Sequence, residues 1–353
     1  MTMVSIASMG ARTPVGLNAW SSAAAVLAGV SRLREHGFMV DRAGEPYVLA
    51  CDRSLGAAAH TQRLSTMAAD VLAQIFAPRR RLPASKRPLR VYLALPECDA
   101  RFTPASVEEI SQSLVREFAD GQPVEVLAVP RGHAAGVEAL QAAMQAIAQD
   151  ATAPVAVVGV DSYIDAEVLD NLEHAGRVMS ASTKYGFPPG EGAGALLLAA
   201  PAVARAIGDD LAQVVSAESD HEAQAMLLDE PVCTGEGLGR AWSKALRRVP
   251  FPAERIAHIY ADVTGERYRG RELAYTMGRV PYAAFRELED YTTAVDAWGD
   301  VGAATIPLLA VLAVAAGRFG RTKGELVLLS ASSVGGGRGA AVLQVPSTRG
   351  GRT

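Results

Sequence analysis

The chain has 353 residues, of which 49% are hydrophobic and 6% aromatic, so it can bury one large core or the cores of two fused halves. Its 34 basic and 38 acidic residues leave a formal charge of −4, which gives no reason to expect nucleic acid or an anionic membrane as a partner. Cys51, Cys98 and Cys233 are few and scattered, so they predict neither a disulfide framework nor a zinc site and suit a reducing cytoplasm. We expect no signal peptide, no cofactor and no metal, and the apolar stretch 306–316 is too short to span a bilayer.

The first half of the chain alternates apolar runs with segments of helical periodicity. We predict strands at residues 3–9, 91–95 and 155–160, and helices at residues 19–27, 61–76 and 104–118. A polar, glycine-containing stretch at 31–60 and an irregular polar stretch at 165–184 interrupt this pattern. We expect the second of these stretches to form a rim over a pocket.

The strongest local signal lies at residues 124–147. An apolar run ends at Pro130, a turn of small residues follows, and apolar residues then recur at helical spacing up to Ile147. This pattern predicts a strand, a tight turn and a buried helix, with His133 at or near the start of the helix. A helix N-terminus offers unpaired N–H groups and the positive end of its dipole, which stabilise a thiolate or an oxyanion. His133 therefore occupies a position typical of a nucleophile.

The second half repeats this plan in outline. We predict strands at residues 212–218, 256–263, 325–330 and 340–345, and helices at residues 237–249 and 306–316. Each half ends in a strand, a glycine cluster and another strand, and the clusters lie at 186–194 and 335–339. We expect the first cluster to form a packed hairpin beside the turn at His133.

This weak repeat predicts an α/β fold of two similar halves, each a largely parallel sheet covered by helices. We place the first half at residues 1–205, the second half at residues 206–346 and a frayed tail at residues 347–353.

These landmarks together resemble the thiolase-like fold and, within it, the β-ketoacyl synthases. The segment from Phe187 to Gly194 reads Phe-Pro-Pro-Gly-Glu-Gly-Ala-Gly, is close to that family's Phe-x-x-Gly-Glu-Gly-Ala-Gly, and is the most specific match. Other matches follow in chain order at residues 4–16, 132–140, 231–246, 298–304 and 334–336. The resemblance implies two βαβαβαββ halves in a five-layer α-β-α-β-α arrangement. It also implies an acyltransferase ancestry of the 3-oxoacyl-carrier-protein synthase type.

The positions that carry catalysis in that family hold other residues here. Family synthases use a cysteine to carry the acyl chain and two histidines to bind the malonyl thioester carbonyl. The resemblance places His133 at the cysteine position, and Asp262 and Asp300 at the two histidine positions. It assigns four residues to the pocket wall: Phe187, Val334, Gly335 and Gly336. Val334 stands where the family has a gating phenylalanine.

These replacements argue against decarboxylative condensation. An ionised carboxylate cannot donate the hydrogen bond that a developing enolate needs, and two aspartates would repel the malonyl carboxylate. His133, favoured neutral because the helix dipole disfavours its cation, is open to three hypotheses. It could cap a vestigial pocket, act as a general base with Asp262 or Asp300, or form a metal site with both aspartates. We favour the first hypothesis and predict no metal.

The sequence thus favours a catalytically silent relative of the ketosynthases that is kept for its shape. Dimers of that family form by pairing of the strand before the nucleophile, so the resemblance implies a homodimer or heterodimer through residues 124–129. Three protein partners stay open: an active synthase subunit, as for chain-length factors, an acyl-carrier protein, or a type VI secretion effector. The competing hypothesis is an acyltransferase or thioester hydrolase that uses His133. Structural roles are predicted for Glu191, Glu272 and a half-buried Cys98.

Overall fold

The computed structural model describes residues 3–76, 88–223, 232–251 and 253–347. The strands are β1 (Val4–Arg12), β2 (Arg34–Val40), β3 (Pro46–Leu49), β4 (Leu89–Leu95), β5 (Val124–Pro130), β6 (Val155–Ser162), β7 (Glu191–Ala199), β8 (Ala212–His221), β9 (His258–Ala261), β10 (Tyr291–Thr292), β11 (Leu326–Ser332) and β12 (Gly337–Gln344). The helices are α1 (Ala19–Leu27), α2 (His60–Ile75), α3 (Pro104–Glu117), α4 (Ala135–Gln149), α5 (Ala166–His174), α6 (Pro201–Ile207), α7 (Glu236–Leu246), α8 (Arg267–Met277), α9 (Val295–Trp298) and α10 (Thr305–Arg318). Apart from Ser347, the tail predicted at 347–353 lies outside the described residues.

Ten of these strands form one hydrogen-bonded sheet in the order β10-β9-β11-β12-β8-β1-β7-β6-β4-β5, while β2 pairs with β3 in a separate hairpin. Two groups of five strands repeat the same pattern. In the first group β5, β4 and β6 are parallel, and β7 and β1 follow antiparallel. In the second group β10, β9 and β11 are parallel, and β12 and β8 follow antiparallel. The groups join through a short antiparallel pairing of β1 with β8.

Each half is therefore a mixed sheet in which four of the five strands run in one direction, in line with the predicted largely parallel sheets, and one strand, β7 or β12, is reversed. In the second half, the chain turns at Gly335 and Gly336 and joins β11 directly to β12. A turn of a few residues can connect only antiparallel strands. In the first half, the loop after β6 returns the chain so that Glu191 of β7 lies opposite Ser162.

Two central helices contact both halves of the sheet. α4 packs on β4 and β6 of the first half and on β8 and β12 of the second, and α10 packs on β6, β7 and β11. On the outer faces, α2 and α3 cover the first half, while α7 covers β8 and β12 with α8 packed on it. The layers follow the order α-β-α-β-α, as the resemblance implies. α10 is buried from Thr305 to Gly317, which explains its continuously apolar sequence.

Two helices occur in polar segments where no helix is predicted. α5 lies within 165–184, where the side chain of Asp165 accepts from the backbone N–H groups of Glu167 and Val168 as a helix cap. α8 lies within the polar stretch 266–296. Both helices bury few apolar side chains, so their sequences are polar overall. None of the described helices is long and apolar enough to cross a membrane.

The first glycine cluster does not form the predicted hairpin, because β7 already begins at Glu191 and includes Gly192 and Gly194. A Cβ on Gly194 would lie 2.9 Å from Leu308 N and from Pro307 Cβ. The glycine therefore allows the start of α10 to pack directly on the sheet.

Candidate active site

His133 lies in a single helical turn between β5 and α4. Gly132 has a φ of +66°, a left-handed conformation that favours glycine. Ser333, which follows β11, fixes this turn through its Oγ, which accepts from Ala134 N at 2.8 Å and donates to Arg131 O at 2.5 Å. His133 is held there with 4% of its surface exposed.

Asp300 is the direct partner of His133. The Nε2–H of His133 donates to Asp300 Oδ1 at 2.8 Å, and Oδ2 lies at 3.1 Å. Gly302 N also donates to Oδ1, at 2.9 Å. Burial alone would raise the pKa of Asp300, but the imidazole of His133, the guanidinium of Arg269 and the N–H of Gly302 outweigh it and hold the pKa well below its usual range. Asp300 is consequently an ionised carboxylate.

Two backbone segments that pass very close to each other position Asp300. Its backbone N–H donates to Pro188 O at 2.8 Å, and the preceding Gly299 has a φ of +75°. A Cβ on Gly190 would lie 2.0 Å from Trp298 O. Gly190 of the first glycine cluster thus lets the loop before β7 pack against the backbone of Asp300.

Arg269 of α8 joins the remaining groups of the site, and only 2% of it is exposed. Its Nη1 donates to Asp262 Oδ2 at 2.5 Å and to Ser332 O at 2.9 Å. Its Nε donates to Glu266 Oε2 at 3.3 Å, and its Nη2 lies 3.2 Å from His133 Nε2. The guanidinium therefore occupies the space between His133 and Asp262.

Asp262, directly after β9, completes the cluster. Its Oδ2 accepts from Ser332 N at 2.7 Å as well as from Arg269. Among the described residues, no hydrogen bond joins Asp262 to His133 directly. The structure brings His133, Asp262 and Asp300 together, but it links Asp262 to the other two through Arg269.

The cluster and its surroundings form a buried ionic network. Glu266 accepts from Arg177 Nε at 2.9 Å and from Tyr268 Oη at 2.8 Å. Burial would lower the pKa of Arg269, but Tyr268 and the nearby carboxylates raise it well above its usual range. Two guanidiniums, those of Arg177 and Arg269, thus face three carboxylates, those of Asp262, Glu266 and Asp300. A network of this kind neutralises most of its own charge without a ligand.

Asp161, at the end of β6, is a second titratable group that sequence reasoning gave no role. Its Oδ2 accepts from Ala303 N at 2.8 Å. Burial raises its pKa to about 6, and nearby Asp300 adds to this, although the N–H of Ala303 and the imidazole of His133 oppose it. A Cβ on Gly302 would lie 1.9 Å from Asp161 Oδ2, so this carboxyl group packs directly under the turn that carries Asp300.

Sequence reasoning also missed Arg269. It is one of three arginines in the segment Arg267 to Arg271, and nothing in their spacing distinguishes the buried one. The available signal was indirect: two aspartates at buried positions require a cation or a set of hydrogen-bond donors nearby.

The residues predicted to line the pocket fall in different surroundings. Phe187 is fully buried, its ring centroid lies 4.9 Å from that of Tyr163, and the Arg177 guanidinium lies 5.5 Å from its ring. Val334 is half-buried, Gly335 exposed and Gly336 buried. A small pocket adjoins the two aspartates, and its lining includes Asp262, Thr264, Trp298, Asp300, Thr305 and Leu309.

Outside this site, Glu222, Cys233 and Glu272 place possible metal ligands within 4.8 Å of one another. Arg338 Nε donates to Glu272 Oε1 at 2.5 Å, and the Cys233 thiol donates to the same oxygen at 3.4 Å. The arginine supplies a positive charge to this group without a metal ion. Cys98, expected to be a half-buried structural thiol, is exposed, because the chain leaves the sheet after β4.

No protein-family model matches the sequence, and no curated protein matches it either. Solved structures do match along nearly the whole chain. One match is a chain from the structure of a type II polyketide-synthase acyl-carrier protein in complex with its ketosynthase. It superimposes with a TM-score of 0.78 at 15% identity, and the match covers 98% of this chain and 99% of that one. The chain has the ketosynthase fold.

Two further ketosynthase structures agree. An oxazolomycin ketosynthase domain from Streptomyces albus gives a TM-score of 0.74 at 16% identity, covering 99% of this chain and 75% of that one. The ishigamide ketosynthase/chain length factor gives a TM-score of 0.69 at 19% identity, covering 98% of this chain and 100% of that one. At such identities the ketosynthase fold is what the likeness shows, and the function has to be argued from the site.

Proposed function

We propose that this ketosynthase-fold chain is catalytically silent and acts as a structural partner subunit. The observation that carries the proposal is the buried ion pair of Arg269 with Asp262, next to His133. A condensing site needs a nucleophile that can carry an acyl chain and free donors for the substrate carbonyl. Here Arg269 Nη1 and the Nε2–H of His133 donate to carboxylates of the same chain.

Arg269 also changes the electrostatic argument that the sequence supports. Two uncompensated aspartates would repel a malonyl carboxylate, but the guanidinium of Arg269 contacts Asp262 and acts on Asp300. The stronger reason to expect no catalysis is therefore that the guanidinium of Arg269 occupies the space between His133 and Asp262. A substrate would have to break a buried ion pair in order to bind between His133 and Asp262.

The free edge of β5 supports pairing with a second chain. β5 ends the described sheet and has β4 as its one strand neighbour there. Leu127 of this strand is 36% exposed and Glu125 is also exposed. An edge strand presents unpaired N–H and C=O groups that another strand can satisfy. We therefore propose that residues 124–129 mediate a dimer with a second ketosynthase-fold chain, either a copy of this one or an active synthase.

A chain-length-factor-like subunit is the form of this proposal that the fold likeness favours, since one similar structure is a ketosynthase/chain length factor. An acyl-carrier protein and a type VI secretion effector are the other partners we consider. Free thiols at Cys51, Cys98 and Cys233 support a cytoplasmic location.

The dimer proposal is tested by measuring the mass of the purified chain in solution and after co-expression with candidate synthases. Leu127→Lys places a charge on the proposed seam and should abolish association. Leu17→Lys, at a residue that is 59% exposed on the turn after β1, is the matched control and should leave association intact. A monomeric parent chain that recovers no synthase partner would rule out the subunit role.

The second candidate is an acyltransferase or thioester hydrolase that uses His133 with Asp300 or Asp262. It is favoured by the 2.8 Å hydrogen bond from His133 to Asp300, which resembles the orientation of a general base by a carboxylate. Thiol release from acyl and malonyl thioesters should be followed in the Cys98→Ser background, because the exposed Cys98 thiol could itself exchange with a thioester. Turnover that disappears in His133→Ala would establish this candidate in place of the silent subunit.

A further inference from the structure

Glu97 lies beside the former nucleophile position, in the loop that follows β4. Both of its carboxylate oxygens accept from the backbone N–H of Gly335, at 2.9 and 3.1 Å. Gly335 directly follows Val334, where the gating phenylalanine of the resembled family stands. The contact therefore spans from the end of β4 to the turn between β11 and β12.

Two glycines make the space that Glu97 fills. A Cβ on Gly335 would lie 2.5 Å from Glu97 Oε1, and a Cβ on Gly132 would lie 3.0 Å from Glu97 Cγ. Any larger residue at either position would push the Glu97 side chain away. Since Gly132 immediately precedes His133, Glu97 Cγ lies beside the backbone of the turn that carries His133.

The residues around Glu97 differ in their exposure to solvent. Gly335 is exposed, Glu97 is half-buried, and Gly132 and His133 are buried. Glu97 thus links the exposed turn at Gly335 to the buried turn that carries His133. Among the described residues no ion pair holds its carboxylate, so the hydrogen bonds to Gly335 are what fix it in this place.

We propose that Glu97 is a cover that closes the His133 pocket to thioester-sized ligands. This inference deepens the proposed function and rests on it, because it explains how a silent pocket is kept shut. The hydrogen bond from Gly335 N to Glu97 has a neutral donor and is exposed, which makes it weaker than the buried ion pairs of the site. The cover is consequently the part of the site that can open while the network of Arg269 stays intact.

Alkylation of a cysteine placed at the covered position tests the cover. In a His133→Cys chain, iodoacetamide labelling of residue 133 is followed by peptide mass spectrometry, which separates it from labelling at Cys98. Adding Glu97→Ala should increase the labelling rate at least tenfold. Adding Glu97→Gln should leave the rate near that of the parent, because the amide oxygen still accepts from Gly335 N. The proposal is overturned if the labelling rate of residue 133 is the same in all three chains. It is also overturned if the chain with Glu97→Gln is labelled as fast as the chain with Glu97→Ala.

A second measurement avoids the substitution at His133. In the otherwise natural chain, Glu97→Ala should speed hydrogen exchange in the peptide that contains Gly335, while the unfolding midpoint shows that the fold is kept. Unchanged exchange in a folded Glu97→Ala chain counts against the cover. Both measurements report access and are independent of turnover, so they can fail while the chain is still silent, or succeed in a chain that proves to be a hydrolase.

Discussion

Arg269 Nη2 lies 3.2 Å from His133 Nε2, so a buried guanidinium faces the imidazole at the start of α4. The same guanidinium contacts Asp262 at 2.5 Å. The cluster is thus organised around an arginine from α8, and His133 and Asp262 do not meet directly. This arrangement makes several predictions about stability that can be measured without knowing any substrate.

Removing Arg269 should strongly destabilise the chain. Arg269→Met leaves Asp262 and Glu266 buried with one cation fewer, and breaking a buried ion pair from one side costs about 3–5 kcal/mol. The free energy of unfolding should be measured by urea denaturation. Arg271→Met, at an exposed position of the same helix, is the control and should change it by less than about 0.5 kcal/mol. Similar effects from both substitutions would contradict the ion-pair account.

Asp262 and Arg269 should behave as a coupled pair. Once Arg269 is gone, removal of Asp262 relieves an uncompensated buried charge, so Asp262→Ala should cost less in the Arg269→Met background than alone. We expect a coupling free energy of about 1–3 kcal/mol in this double-mutant cycle. Effects that add to within about 0.5 kcal/mol would show that the two residues stabilise the chain independently.

Asp161 should make stability fall as the pH rises from about 4 to 6. Its pKa is about 6 in the folded chain, against about 3.9 in an unfolded chain. In that window the folded state keeps a proton that the unfolded state has released, so its stability decreases with rising pH by about 3 kcal/mol in total. Asp161→Asn cannot ionise and should lack this contribution. The test compares the slopes of unfolding free energy against pH, and identical slopes would contradict the raised pKa.

Two glycines should respond to alanine in opposite directions. Gly302 has a φ of +46° and its added Cβ would lie 1.9 Å from Asp161 Oδ2, so Gly302→Ala should lower the unfolding temperature sharply. Gly270, inside α8, has no atom within 4 Å of an added Cβ, and Gly270→Ala should stabilise the helix by about 0.5–1 kcal/mol. Thermal unfolding of both variants checks this. A stable Gly302→Ala chain would show that the turn before α10 can relax.

The sequence predicts those elements whose apolar residues face the core. The helix expected at 19–27 occurs at those residues, and the apolar stretch 306–316 lies within the buried α10. α5 and α8 are missed because each buries few apolar side chains and its sequence is polar overall. The reversed strands β7 and β12 are missed because strand direction depends on how the chain returns, which apolar runs do not encode.

The site is predictable to a similar degree. The motif resemblance selects His133, Asp262 and Asp300, which lie in one cluster in the structure. Arg269 and Glu97 escape sequence reasoning because each acts across a long stretch of chain, Arg269 on His133 and Glu97 on Gly335. Such contacts depend on the packing of whole layers and leave no local pattern.

β5 lies at the edge of the sheet that the described residues form, and this has a consequence for the amount of the protein in a cell. An edge strand with unpaired backbone N–H and C=O groups can also pair with the wrong chain, which leads to aggregation or to binding by chaperones. We therefore expect excess copies made without their partner to be degraded as orphan subunits, so that partner supply sets the amount of this protein. A pulse-chase experiment should show faster loss when the chain is expressed alone, and equal lifetimes would speak against an obligate pairing.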